Sequence, residues 1–221
     1  FGILKFTFVT LFSNLIEPYF HDSILKRAVE SNFISYEFYN PRDFTTNKHK
    51  KVDDQMVGGG AGMLLSCQPL FDCLDEIKSK NQDAYIIFPL AAAKPFKQND
   101  AKRLAKKKNI VFVSGRYEGI DERVIEKYAN EVFSIGEYIL TGGELASTVM
   151  ADAISRNIEN VLGNADSLEV ESYENNLLEA PSFTKPENYQ NLSVIKEYLK
   201  GNHIKILDLK KKPVYLQNKI L

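Results

Sequence analysis

The sequence predicts an α/β fold, a parallel sheet with helices on both faces, on two observations. Short runs rich in aromatic and β-branched residues alternate with segments whose apolar side chains recur at helical spacing. Two of those runs, 84–88 and 110–113, are apolar almost throughout, as strands covered on both sides are. With 221 residues, 44% hydrophobic and 26% charged, the chain suffices for one large domain or a medium domain with a small one, and a disordered or fibrous protein is excluded.

In order, KFTFVTL at Lys5–Leu11 suits a strand, Ser23–Glu30 a short helix with Ser23 as its cap, and Ser35–Tyr39 a second strand. Asp53-Asp54-Gln55-Met56 is not strand-like, and a glycine-rich loop follows it. Pro69 opens a helix carrying Leu70, Leu74 and Ile77, before a buried strand at Ala84–Phe88. Asn99 or Asp100 caps a helix running through Lys107, and Ile110–Val113 is a strand that ends at Gly115. Asp121–Tyr128 reads as a helix and Glu131–Ser134 as a short strand. Gly143–Ile158 is a long helix whose Leu145, Val149, Met150, Ala153 and Ile154 form an apolar face. This first domain covers 1–163. Residues 164–176, rich in acidic side chains and asparagine, offer few core anchors and read as a linker. Two short helices, Ser193–Lys200 and His203–Lys210, then make a small helical domain over 177–221, too small to be stable undocked.

Lys and Arg number 28 against 29 Asp and Glu, so the net charge of −1 gives no whole-molecule pull on nucleic acid or anionic lipid, and any basic site is local. Cys67 and Cys73 lie far in sequence from His21, His49 and His203, which argues against a zinc cluster or a disulfide scaffold and leaves no metal site to assign. Polar residues interrupt the most apolar segment, Ile3–Ile16, so no membrane span and no signal peptide is expected; the expected compartment is the cytoplasm.

Three loops could carry chemistry. Gly58-Gly59-Gly60-Ala61-Gly62 lets backbone approach a ligand, yet lacks the Gly-Lys-Ser/Thr of a Walker loop and the spacing of a dinucleotide fingerprint; a flexible surface loop explains it equally well. GRYEGIDER at 115–123 follows a strand, where α/β proteins bind ligands, but its balanced charges also suit an ion-pair network at a helix start. SIGEYILTGGE at 134–144 could read a flat heterocycle through its main chain while Ile135, Tyr138 and Leu140 enclose it, or could simply be a tight turn feeding Gly143 into helix packing. Basic clusters occur at Arg42, Lys48, Lys50 and Lys51, and at Lys210–Lys212 beside His203. Either could hold phosphates or merely be solvated.

Together, VDDQMVGGGAGM at 52–63, GRYEGIDERV at 115–124, SIGEYILTGGELA at 134–146, DAISR at 152–156, VLG at 161–163, LLEAPSFTKP at 177–186 and GNH at 201–203 resemble the bacterial tRNA (guanine-N1)-methyltransferase family, TrmD, of the SPOUT class. That resemblance implies a deep trefoil knot, rare enough that no periodicity would suggest it. It implies S-adenosylmethionine bound by Leu90, Gly115, Glu118, Ser134, Ile135, Gly136, Glu137, Tyr138, Ile139, Leu140, Gly142 and Gly143. It also implies a homodimer whose active sites are shared between subunits, and the anticodon arm of tRNA as partner. Contacts to RNA are expected at Arg42, Lys48, Gly59, Gly62, Lys185 and His203. Mg²⁺ has been proposed to assist the family, but no metal-ligand spacing is visible.

Guanine N1 is protonated at neutral pH, so its lone pair is available for the methyl group only if a base removes that proton, and the charge that then develops on O6 calls for a cation. The family uses an aspartate and an arginine. The arginine matches Arg156; counting from both flanking motifs puts the base at Glu171, one methylene longer than the family's residue. Other departures are Gln55-Met56-Val57 in place of a Pro-Tyr pair, Leu90-Ala91-Ala92-Ala93 in place of Ser-Pro-Gln-Gly, and Leu209-Lys210 in place of Trp-Arg. Two competing functions are a nucleotide-phosphate hydrolase built on the glycine loop, with Asp53 and Asp54 as its metal ligands, and a noncatalytic RNA-binding protein of the same fold.

Overall fold

The structure is a computed structural model and describes residues 2–163 and 182–199. The chain divides into two compact units, Phe1–Leu162 and Gly163–Leu221.

In the first unit, β1 (Leu4–Val9), β2 (Ile34–Tyr39), β5 (Tyr85–Pro89), β6 (Asn109–Val113) and β7 (Glu131–Phe133) form one sheet in the order β2-β1-β6-β5-β7. Every neighbouring pair is parallel. Parallel pairing requires crossovers, supplied by α1 (Ser23–Glu30), α2 (Cys67–Lys80), α3 (Gln98–Leu104) and α4 (Glu122–Tyr128), with α5 (Glu144–Ser155) after the last strand. Alternation along the strands divides the core into two layers. Phe6, Phe8, Ile110 and Phe112 point to one face, where Leu25 and Ala28 of α1, Leu104 of α3 and Met150 and Ile154 of α5 cover them. Val9, Val111, Val113 and Phe88 point to the other, against Leu74 and Ile77 of α2 and Val124 of α4. Phe112 stacks on Phe6 and Phe8 at centroid separations of 6.2 and 5.7 Å, so the middle of the sheet is bound by rings as well as by its ladder.

Four local readings are corrected. Asp22, not Ser23, caps α1: its carboxylate accepts from the Ser23 amide at 2.6 Å. The helix expected from Asn99 or Asp100 begins after Lys97 and ends at Leu104; Asp100 sits in its first turn and accepts from the Lys97 amide at 3.0 Å. Asp53–Gln55 does form a strand, β3, antiparallel to β4 (Met63–Leu65), with the glycine loop at the hairpin's tip. In α5 the buried residues include Ala146, Ser147, Met150, Ala151 and Ile154, whereas Leu145 and Val149 stand 60% and 43% exposed on the opposite side.

The described part of the second unit holds a short antiparallel pair, β8 (Asn188–Tyr189) with β9 (Leu192–Ser193), and one helical turn, α6 (Lys196–Leu199). The helix expected from Ser193 thus starts three residues later, because Ser193 is taken into the strand pair. Phe183 meets Tyr198 edge-on at 5.5 Å. The expected linker 164–176, Glu171, His203 and the helix His203–Lys210 lie outside the described residues.

Candidate functional site

The ends of β5, β6 and β7 lie side by side at the carboxyl edge of the sheet, and the loops that leave them enclose a cavity of about 370 Å³. Pro89 to Ala91 form one wall, Gly115 to Ile120 a second, and most of the stretch from Phe133 to Gly143 a third. This is the crevice where open parallel sheets take ligands.

The third loop is held at both ends by backbone. Ser134 donates its amide to the Lys94 carbonyl at 2.9 Å and accepts from the Phe96 amide at 2.8 Å, so it is stitched to the loop after β5. At its far end the Gly143 amide donates to the Gly115 carbonyl at 2.9 Å. A Cβ at Gly143 would stand 2.8 Å from the Cα of Ser114, so only glycine lets these two backbones meet. Between those ends the Ser134 hydroxyl donates to the Gly136 carbonyl at 2.8 Å, and the Tyr138 hydroxyl donates to the Ile135 carbonyl at 3.3 Å, folding the ring back over Gly136.

Beneath the loop lies a buried charge pair. Arg116 Nε is 3.0 Å from Glu144 Oε2, Glu144 is 2% exposed, and its other oxygen accepts from the Thr10 hydroxyl at 2.8 Å. The Arg116 guanidinium also lies 4.7 Å over the Phe12 ring and donates to the Thr141 carbonyl at 3.3 Å. One cation therefore connects the segment after β1, the second loop, the third loop and the start of α5. The local acids near Arg116 take other roles: Asp121 caps α4 and pairs with Arg123 at 2.7 Å, a hydrogen bond that holds its carboxyl well below the usual range. The ion-pair reading of 115–123 thus fits Asp121 and Arg123, while Arg116 looks inward.

Glu118 joins the glycine hairpin to the cavity. Its amide donates to the Met63 carbonyl at 3.0 Å, and its side chain lies where a Cβ on Gly62 would be, 2.5 Å from Cγ. Gly62 also has φ of +88°, so both conformation and space call for glycine there. Gly59, at φ +86°, faces open space. Arg42 is drawn into its own loop, donating to the Lys50 carbonyl at 3.1 Å, and Lys48 is exposed; both follow β2. Lys185 belongs to the second unit.

Of the residues expected at a cofactor, Leu90, Gly115, Glu118, Ser134, Ile135, Gly136, Tyr138, Ile139, Leu140, Gly142 and Gly143 line this cavity. Glu137 does not; its side chain is exposed. Arg116, Tyr117 and Thr141, inside the segments 115–118 and 134–143 where the resemblance puts the cofactor, also line it, as does Ala146 from outside them. Tyr117 carries a left-handed φ of 59°, a strained setting in a ligand crevice that no sequence pattern announces. Arg156 follows α5 as its C-cap. Among the described residues no group of three or more His, Cys, Asp or Glu side chains could hold a metal ion, and no helix is long and apolar enough to cross a membrane.

An all-parallel sheet with a loop-walled crevice at its carboxyl edge defines an α/β ligand-binding protein. The chain matches the family described as tRNA (Guanine-1)-methyltransferase TrmD over residues 4–219, and it belongs to that family. Similar proteins, each named tRNA (guanine-N(1)-)-methyltransferase, include one from Sulfurimonas denitrificans, 67% identical over 94% of this chain and 90% of the relative. Another, from Sulfurovum sp., is 66% identical over 94% and 92%, and a third, from Campylobacter curvus, is 60% identical over 98% and 92%.

Proposed function

We propose that this protein transfers a methyl group from S-adenosylmethionine to N1 of guanosine-37, next to the anticodon of tRNA. Membership of the family makes it a tRNA methyltransferase, and the observation that carries the finer reading is the cavity at the carboxyl edge. Its size suits one nucleoside with a short tail. Its walls are loop backbone and apolar side chains, which suit a flat heterocycle, and the Glu118 carboxylate supplies the negative charge that a sulfonium or ammonium group needs. S-adenosylmethionine, when bound, provides the methyl group on its sulfonium sulfur.

The chain's own residues do the rest. The main chain of 134–143 holds the heterocycle, and Leu90, Ile135 and Leu140 keep water from it. Glu171 accepts the proton from guanine N1, and the Arg156 guanidinium stabilises the charge that develops on O6. Glycine loop residues Gly59 and Gly62, with Arg42, Lys48, Lys185 and His203, receive the anticodon arm. Mg²⁺, if it contributes, has no assigned ligands.

The trefoil knot is part of this proposal. It is supported by the bonds that tie the stretch 134–143 to the loop at 94–96 at one end and to Gly115 at the other. So is the homodimer with shared sites: Leu145 and Val149 of α5 are exposed large apolar side chains, exposed Tyr19 donates its hydroxyl to Asp152 of the same helix at 2.9 Å, and Phe12 and Leu15 are exposed as well. We retain the division into a catalytic domain at 1–163, a linker at 164–176 and a small helical RNA-binding domain at 177–221, acting in the cytoplasm.

The test offers the protein radiolabelled S-adenosylmethionine and two tRNA transcripts, with guanosine or adenosine at position 37. Label should enter the guanosine transcript alone, and Glu171→Ala should abolish transfer while donor affinity stays within about twofold. Label in the adenosine transcript refutes the assigned target, and undiminished turnover by Glu171→Ala removes that carboxylate from the mechanism.

A further inference from the structure

The loop from Leu90 to Phe96 contributes Leu90 and Ala91 to the cavity wall, and three alanines in a row leave it few side chains with which to hold itself in place. Its anchor lies on the far side, at Lys94. The Lys94 ammonium is 2.7 Å from Glu131 Oε2, at the first residue of the edge strand β7. Glu131 is itself heavily engaged: Arg103 reaches both of its oxygens, at 2.7 and 3.0 Å, and the Tyr85 hydroxyl donates at 2.7 Å. Burial pushes the Glu131 carboxyl up, yet the hydrogen bonds from Arg103, Lys94 and Tyr85 outweigh it and hold it at about 2. The carboxylate is therefore a fixed negative post set by β5, α3 and β7.

Lys94 also controls what faces the ligand. Its carbonyl accepts the Ser134 amide, its ammonium lies 4.8 Å over the Phe133 ring, and Phe96 packs edge-on against that ring at 5.3 Å. Leu90, at the other end of the loop, donates its amide to the Phe133 carbonyl at 2.9 Å. Lys94 thus holds Ser134 through its carbonyl and Phe133 through its ammonium, and Phe133 in turn holds Leu90; Ser134 and Leu90 both line the cavity.

We infer that Lys94, tied to Glu131, is a positioning residue for methyl-donor binding: the pair sets the shape of the donor cavity from outside it, without touching the donor. This rests on the proposed donor site. The pair is charge-assisted, with Glu131 12% and Lys94 58% exposed, so water screens it from the lysine side and its loss should weaken donor binding by no more than about fivefold.

The experiment measures calorimetric binding of S-adenosylhomocysteine and steady-state methylation of a tRNA transcript for the full chain and for Lys94→Met, Glu131→Gln, the double variant and Lys94→Arg. Lys94→Met should raise the donor KM and the S-adenosylhomocysteine Kd about fivefold, with kcat and the tRNA KM within about twofold, and Lys94→Arg should restore both donor constants. The double variant should lose no more donor affinity than Glu131→Gln alone, since the two act through one link. If Glu131→Gln does not fold, the Lys94→Met and Lys94→Arg pair decides. A donor Kd unchanged in Lys94→Met overturns the inference, as does a loss seen only in kcat and melting temperature. A wild-type chain that binds no S-adenosylhomocysteine would instead overturn the donor site itself, and this inference with it.

Discussion

One glycine-rich stretch lines the cavity and another reaches it only through Glu118, and they use glycine for different reasons. In the hairpin tip the glycines at 58–60 and 62 have positive φ, and at Gly58 and Gly59 an added Cβ would meet nothing. At Gly142 and Gly143 no positive φ is needed, but a Cβ would press on the Arg116 and Glu144 side chains at 2.6 Å in one case and on the backbone of Ser114 at 2.8 Å in the other. One stretch needs freedom of conformation and the other needs absence of volume. The first makes a pliable rim, the second a fixed joint.

Substitutions can break that contrast. Gly143→Ala carries the largest expected effect, because rigid backbone on both sides cannot yield: a stability loss of about 3 kcal/mol in denaturant titration, with loss of donor binding in the folded fraction. A stable Gly143→Ala chain with normal donor affinity would mean the joint is not tight. Gly62→Ala combines both demands, yet Glu118 is a flexible side chain that can swing aside, so about 2 kcal/mol is expected, together with weaker donor binding as that carboxylate leaves its place. Gly59→Ala meets only the conformational cost, about 1 kcal/mol, and should leave donor affinity unchanged while weakening tRNA binding. Equal losses at Gly59 and Gly143 would erase the distinction between rim and joint.

Alternation of apolar strands and periodic helices was readable because buried strands such as Ile110–Val113 have no other way to satisfy their surroundings. β3 was not, since Asp53, Asp54 and Gln55 pair across an exposed hairpin and carry no apolar signature. Periodicity placed Leu145 and Val149 with Met150 and Ile154, but it cannot say that a helix has two apolar sides of which only one is buried in its own domain. Most of the cavity lining was legible through motif resemblance. What escaped were long-range pairings, such as Arg116 with Glu144 and Lys94 with Glu131, because spacing along the chain carries no sign of which charge a given charge will meet.

The cavity walls come from residues 89–91, 115–120 and most of 133–143, the last of these running from the end of the sheet's final strand onward. A growing chain that has produced β1 to β6 would have most of its sheet and still nothing to grip a small molecule. Ligand occupancy is consequently a late reporter: it can stabilise only the finished domain, and the moment at which a refolding population first acquires it marks the joining of the 134–143 loop to the loops after β5 and β6.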